Sequence, residues 1–289
     1  ARRARPGPLP GRIPGKTPRA AGMPEPGPVR APAAEAPTGL WNLGPALRIP
    51  PSSSRNARSP AADRAAEEVV VGGLRAAFPS HAVLAEEGVL TTQGRASHDG
   101  DWLWIVDPLD GTTNYVHGLP FYCVAVALAH RRVPVVGVVH APALGETYVA
   151  VKGGGAERRG PGGEAVRLGV SATADFADAL LATGFSYNRN EPGRDDNAGN
   201  VQRILPRCRD LRRLGSAELD LCLVAAGVYD GYWERYLQPY DVAAGAVLVR
   251  EAGGVVTDFA GGDDWLFGDS VLATNGRVHD ELRALLASR

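Results

Sequence analysis

The chain has 289 residues, 44% of them hydrophobic and 22% charged, with a formal net charge of -1. That length allows one large or two modest domains, and no apolar run reaches the ~18 residues a membrane helix needs, so a bilayer-spanning protein is not expected. Three scattered cysteines, Cys123, Cys208 and Cys222, exclude a disulfide framework or zinc knuckle and read as buried free thiols in a cytoplasmic, reducing compartment.

The near-zero charge hides an asymmetry. Residues 1–60 carry ten Lys and Arg against Glu25 and Glu35, a net of +8, so the remainder, with 21 basic and 30 acidic residues, has a net of -9. An acidic body concentrates cations and argues against nucleic acid as a partner. Residues 1–60 are rich in Pro, Arg, Ala and Gly, lack helical or strand periodicity, and read as disordered.

From Ser59 to Phe78, "SPAADRAAEEVVVGGLRAAF" has a Ser/Pro start and a long Ala/Val/Leu face, which predicts a helix. "HAVLAEEG" is a short strand running into Glu86 and Glu87. Leu103–Val106 reads as a buried strand that breaks into a turn at Pro108 and Gly111, with a helix starting near Thr112. Strands follow at Tyr122–Ala129, Val133–His140 and Thr147–Val151. The glycine cluster Lys152–Gly160 has no helix after it and reads as a hairpin turn rather than a phosphate loop, before a strand at Ala165–Leu168. The second half alternates: strand Ala179–Thr183, helix Asp195–Leu205, strand Asp210–Leu214, helix Ser216–Gly227 and strand Tyr229–Glu234. A helix starting at Asp241 and stopping at Gly253–Gly254 comes next, then strands Val255–Asp258 and Ser270–Ala273 and a closing helix Val278–Ala287. Interleaved elements predict mixed α/β sheets covered by helices. Trp102 and Trp104 are expected to pack around their strand, and His117 and His140 to be packed or surface histidines.

In "IVDPLDGTTNY" (Ile105–Tyr115) the turn can aim Asp107 and Asp110 at one point with the Leu109 carbonyl between them. Two like charges that close are costly unless a cation sits between them. The donors are hard oxygens, which favours Mg²⁺ over zinc or copper. Gly111, Thr112 and Thr113 offer backbone N–H groups at a helix start, a natural anion site. Carboxylates for metal beside amides for phosphate suggest a phosphoryl substrate. The other reading of D-P-x-D-G is a plain turn, that of Asp241 a helix cap, and that of Glu86 a solvated strand end.

"WIVDPLDGTTNYVHGLPFYCVAVAL" (Trp104–Leu128) and "PYDVAAGAVLVREAGGVVTD" (Pro239–Asp258) resemble the inositol monophosphatase family of magnesium-dependent, lithium-sensitive phosphatases, over roughly Ala61 to the C-terminus. The resemblance implies a layered αβαβα sandwich of the inositol monophosphatase and fructose-1,6-bisphosphatase type, assembled as a homodimer. Residues 61–170 would form an N-terminal α/β lobe with the metal site, and 171–289 a C-terminal lobe with the substrate contacts and the last metal ligand. By position, Glu86, Asp107, Asp110, Asp241 and the Leu109 carbonyl would hold Mg²⁺. Gly111 and Thr112 would hold phosphate, with the Thr112 hydroxyl helping Glu86 orient the attacking water. Gly215, Ser216, Ala217 and Glu234 would contact the sugar, together with Asp110. The implied reaction is hydrolysis of a small phosphate monoester, myo-inositol monophosphate first, by metal-activated water. Histidinol-phosphate, fructose-1,6-bisphosphate and 3′-phosphoadenosine 5′-phosphate are rival substrates. A phosphatase-like binding protein without turnover is the alternative of another class.

The chain departs from the family pattern in three places. The family carries a lysine and a D-x-V-T-x-x-D run before the glutamate. Here "PPSSSRNARSPAAD" (Pro50–Asp63) keeps only Asp63 of the acidic pair and no lysine, so the pattern that closes a third metal site is incomplete. Residues 1 to about 60 accordingly read as foreign or out-of-frame sequence. Tyr240 stands where the family usually has Trp. Glu218 stands where a small residue is common, and near the pocket it is expected to repel an acidic substrate or recognise a hydroxylated or cationic one.

Overall fold

A computed structural model describes residues 55–86, 88–90, 101–187 and 189–287, with side chains from residue 61 onward except at 88–90. The disorder expected for residues 1–60 therefore lies largely outside the described residues. Arg55–Pro60 contradict it, because they already belong to the first helix, α1 (Arg55–Ala77). Helix α1 turns Val71 and Leu74 onto Val83, Ala85 and Val106 of the sheet beneath it.

That sheet has eight strands in the order β2 (Gly88–Leu90), β1 (Ala82–Ala85), β3 (Trp102–Asp110), β4 (Cys123–His130), β5 (Val133–Ala141), β6 (Glu146–Val151), β7 (Gly155–Arg159) and β8 (Ala165–Arg167). Only β1 and β3 pair in parallel, with Ala85 opposite Val106. Burial alternates residue by residue along β4, as period-2 side chains on a half-buried strand must. Two expectations need correction. β3 does not stop before Pro108 but runs on to Asp110, with its register to β4 shifted between Asp107 and Asp110. Proline is tolerated within a strand at such an irregularity, where a ladder hydrogen bond is already missing. The Lys152–Gly160 cluster is not all turn either: its second half is β7, paired with β6 and β8.

The second sheet has five strands in the order β10 (Asp210–Arg212), β9 (Leu180–Thr183), β11 (Gly231–Arg235), β13 (Ser270–Thr274) and β12 (Val255–Thr257). Helices α4 (Ala217–Ala225) and α5 (Ala243–Glu251) pack against strands of both sheets. Both are buried on nearly every side, the signature of a helix enclosed between layers rather than facing water. Helix α3 (Ala198–Ile204) and helix α6 (His279–Ala287) cover the far side of the second sheet, with Ile204, Leu282 and Leu286 on Leu181, Trp233 and Leu272. The short α2 (Thr112–His117) lies beside α1. The layers thus run helix, sheet, helix, sheet, helix, as expected. The first sheet is complete by Arg167 and the second begins at Leu180, and all described residues fall in one compact unit.

Cys123 and Cys222 are buried free thiols and Cys208 is half-buried. Trp102 stacks between His81 and His130, and Trp104 packs on Phe78, so both tryptophans serve packing. His140 bonds Thr147 across two strands, and burial lowers its pKa. Among the described residues no helix is long and apolar enough to cross a membrane.

Candidate active site

The parallel pairing of β1 with β3 decides where the acids meet. With Ala85 opposite Val106, the next residues along, Glu86 and Asp107, emerge side by side at the same end of the sheet. Glu87 lies outside the described residues. The irregular end of β3 keeps both Asp107 and Asp110 buried. The 3₁₀ turn Pro239–Asp241 packs against β3 and β4 and delivers Asp241 from a distant part of the chain. Electrostatics report the convergence. Burial, then the charges of Asp110, Asp241 and Glu86, push the Asp107 carboxyl well above its usual range, while the Leu109 N–H pulls it back. Burial, then Asp110, Glu234 and Glu86, raise Asp241 in the same way, against a hydrogen bond from the Gln238 N–H.

Asp110 is also raised by burial but is held by donors. Its oxygens accept from the Ser216 hydroxyl at 2.6 Å and from the N–H groups of Ala217 at 3.3 Å and Glu218 at 2.8 Å. It therefore serves as an external cap on α4, supplying an acceptor to first-turn donors that have no intrahelical partner. This brings Gly215, Ser216 and Ala217 to the site, with the Ser216 hydroxyl directed at Asp110. Gly215 takes a φ of +84°, a conformation open to glycine. Gly111 needs the same freedom at φ +85°, and a Cβ there would sit 2.9 Å from the Phe121 carbonyl. The Thr112 hydroxyl donates to the Leu109 carbonyl at 2.8 Å, fixing that oxygen.

Glu234 lies on β11, and Tyr232 donates to it at 2.5 Å. A Cβ on Gly184 would fall 1.8 Å from its Oε2, so the loop after β9 closes directly over it. Asn197 holds that loop, donating to Thr183 and Gly184 and accepting from Trp233. Burial raises the Glu234 pKa from 4.5 to about 7. A folded value above the unfolded one means the folded state binds the proton more tightly, so stability declines as pH rises above 4.5 and levels off above about 7. In metal-free protein, Glu234→Gln should remove that part of the slope, as measured by urea unfolding at pH 5, 6 and 7.

Two residues were missed or misread in the sequence. Asn114 is buried on α2 and donates to the carbonyls of Phe121 and Leu214, pinning α2 to the loop between β10 and α4. No local signal marks it, because its partners lie 7 and 100 residues away. Glu218 was expected to face substrate. It is instead fully buried, and its carboxylate accepts the N–H groups of Ala244 and Gly245. Nor does Asp241 cap the following helix directly, since it closes its own 3₁₀ turn with Gln238. In the region of the missing lysine, Asp63 and Glu67 are both buried on α1.

The donor set suits a hard divalent cation: carboxylates and a main-chain carbonyl, with Cys123 beside Asp110 as a thiol that donates to Oδ2 at 3.7 Å and whose pKa burial pushes up, so that it does not act as a thiolate ligand. Carboxyls that raise one another's pKa are relieved by a positive ion between them. The fit lies in chemistry and convergence rather than in a closed cage, since among the described residues no three His, Cys, Asp or Glu side chains are gathered around one point.

A layered α/β fold with acids converging beside a Gly-Thr helix start defines a class, and comparison with known proteins agrees. The sequence model of the inositol monophosphatase family matches residues 51–289. A relative named Nus factor SuhB from Pseudomonas aeruginosa is 42% identical over 222 residues, 76% of this chain and 79% of that protein. Inositol monophosphatase 2 from Solanum lycopersicum is 41% identical over 219 residues, 75% of this chain and 81% of that one. The solved structure of inositol monophosphatase from Anabaena (Nostoc) superposes with a TM-score of 0.73 at 41% identity, covering 80% and 88% of the two chains. The chain belongs to the inositol monophosphatase family and is a phosphatase-type hydrolase of that family.

Proposed function

We propose that the protein hydrolyses myo-inositol monophosphate to inositol and phosphate in a Mg²⁺-dependent reaction. The observation that carries this reading is the convergence of Asp107 and Asp110 at the end of β3 with Asp241 from the turn packed on β3 and β4 and Glu86 from the end of β1, three separate parts of the chain. Glu86, Asp107, Asp110, Asp241 and the Leu109 carbonyl would hold the magnesium. When bound, the cation polarises water and the phosphoryl oxygens and neutralises charge on the leaving alkoxide. The chain's own groups do the rest. The Gly111 and Thr112 N–H groups hold the phosphate at the start of α2. Glu86, standing at the exposed end of β1, orients the attacking water with the Thr112 hydroxyl and accepts its proton. The Glu234 carboxylate accepts a sugar hydroxyl. Attack on phosphorus is in line, so no nucleophilic Ser or Cys is required.

Relatives named inositol monophosphatase stand beside relatives named Nus factor SuhB, so a name alone does not choose the substrate. The "DGTTNYVHGLPF" wording leans toward inositol phosphates and away from 3′-phosphoadenosine 5′-phosphate, while histidinol-phosphate and fructose-1,6-bisphosphate stay rival substrates. Lithium inhibition, a homodimer and a cytoplasmic location belong to the same proposal. A phosphate-release assay across the four substrates, with Mg²⁺, EDTA and Li⁺ arms, tests it. Release from inositol monophosphate should be fastest, vanish in EDTA and fall with Li⁺. Release that persists in EDTA contradicts the mechanism, and tight Mg²⁺ binding without turnover on any substrate points to the binding protein instead.

A further inference from the structure

Glu218 is a fully buried acid on the first turn of α4, and the reaction proposed above makes no use of it. A carboxylate is costly to bury unless its oxygens find donors. Each oxygen here finds one on another helix: Oε1 accepts from Ala244 N at 3.1 Å and Oε2 from Gly245 N at 2.5 Å. These are first-turn donors of α5, whose N-cap position is held by Val242 and carries no side-chain cap. An acceptor at a helix N-terminus satisfies first-turn N–H groups that have no partner within the helix. Gly245 makes the approach possible, because a Cβ there would sit 2.7 Å from Glu218 Oε2 and 2.5 Å from Leu221 Cβ.

The other end of the same residue touches the opposite side of the site. The Glu218 backbone N–H donates to Asp110 Oδ2 at 2.8 Å. Helix α5, which the side chain holds, begins two residues after Asp241. One residue therefore ties the end of β3, which carries Asp110, to the helix that trails Asp241.

We propose that Glu218 is a positioning residue that sets the spacing of Asp110 and Asp241, and through it the affinity of the site for its divalent cation. This rests on the cation site proposed above.

The test compares wild type, Glu218→Gln and Glu218→Ala by calorimetric titration with Mg²⁺. Amide hydrogen exchange at Ala244 and Gly245 is measured alongside in EDTA. Glutamine keeps the volume but offers one acceptor and turns its NH₂ against the second N–H. Partners one step removed from a metal typically change affinity by roughly 10–100-fold, and the expected loss in Glu218→Gln is about 10-fold. Exchange at the start of α5 should quicken in the same variant, because its protecting hydrogen bond is lost. Unchanged Mg²⁺ affinity in folded Glu218→Gln overturns the proposal, as does weaker affinity with unchanged exchange, which would make the effect one of charge alone. If Glu218→Ala does not fold, the glutamine variant decides. A wild type that does not bind Mg²⁺ sinks the cation site itself. Wild-type binding with an indifferent glutamine variant sinks only the positioning role.

Discussion

Asp110→Asn should lower Mg²⁺-dependent phosphate release by at least about 100-fold, since even partners behind a metal ligand cost roughly 10–100-fold. Asp110 has two jobs in the structure, and asparagine does neither well. As a carboxylate it adds to the charge that presses on Asp107, the pressure that a bound cation relieves. As an acceptor it receives the Ser216 hydroxyl and two backbone N–H groups at the start of α4. An amide keeps one acceptor oxygen and sets its own NH₂ among those donors. In metal-free protein, like-charge repulsion is also relieved, which offsets part of the lost capping. The variant should therefore stay folded by circular dichroism while the rise in Tm on adding Mg²⁺ shrinks or disappears. Wild-type rates in Asp110→Asn would show that this carboxylate is not a ligand.

The second large effect lies away from the acids. Gly137→Ala should destabilise the protein by about 3 kcal/mol, the upper end of the cost of overpacking, which for a domain of this size is a fall in Tm of roughly 6–12 °C. Strand β5 runs under the first turn of α5 so closely that a Cβ on Gly137 would lie 2.4 Å from the Ala244 carbonyl oxygen. Main chain cannot swing aside as a flexible side chain does, so the helix itself must move. That helix follows Asp241 and receives the Glu218 carboxylate, so Mg²⁺ affinity should fall together with stability. Gly73→Ala is the control. It lies within α1 with nothing within 4 Å of its added Cβ, and replacing a mid-helix glycine there should stabilise by about 0.5–1 kcal/mol. Thermal melts of the two variants check both signs, and a Gly137→Ala melt equal to wild type contradicts the close packing.

These two positions show what could be read from residues in order and what could not. The alternation in "CVAVALAH" and the all-round apolar character of "LDLCLVAAG" are local patterns, and the structure turns them into β4 and α4. The acids at the ends of apolar elements were equally visible, because each sits where a strand or turn must leave the core. Pro108 misled because its effect depends on the neighbouring strand: a register shift against β4 lets β3 continue through it. Strand β7 was hidden by its sequence GAERR, whose glycine, alanine and glutamate have low β propensity and which is paired by β6 and β8. The largest misreading was Glu218. A lone acid after "GSA" suggests solvent or substrate, and only the fold reveals that the first turn of α5, 26 residues on, supplies its donors. The same holds for Asn114, whose partners are carbonyls brought in by tertiary structure.

The proposed cation is shared by Glu86 just after β1, Asp107 and Asp110 on β3, and Asp241 in the turn before α5. Anomalous diffraction from crystals soaked in Mn²⁺ tests it most directly. The account predicts density bridging Asp107 and Asp110 at about 2.1 Å from their oxygens, with Glu86 or Asp241 completing each site. A map with no such peak, or with manganese bound only by surface acids remote from Asp107, would contradict it.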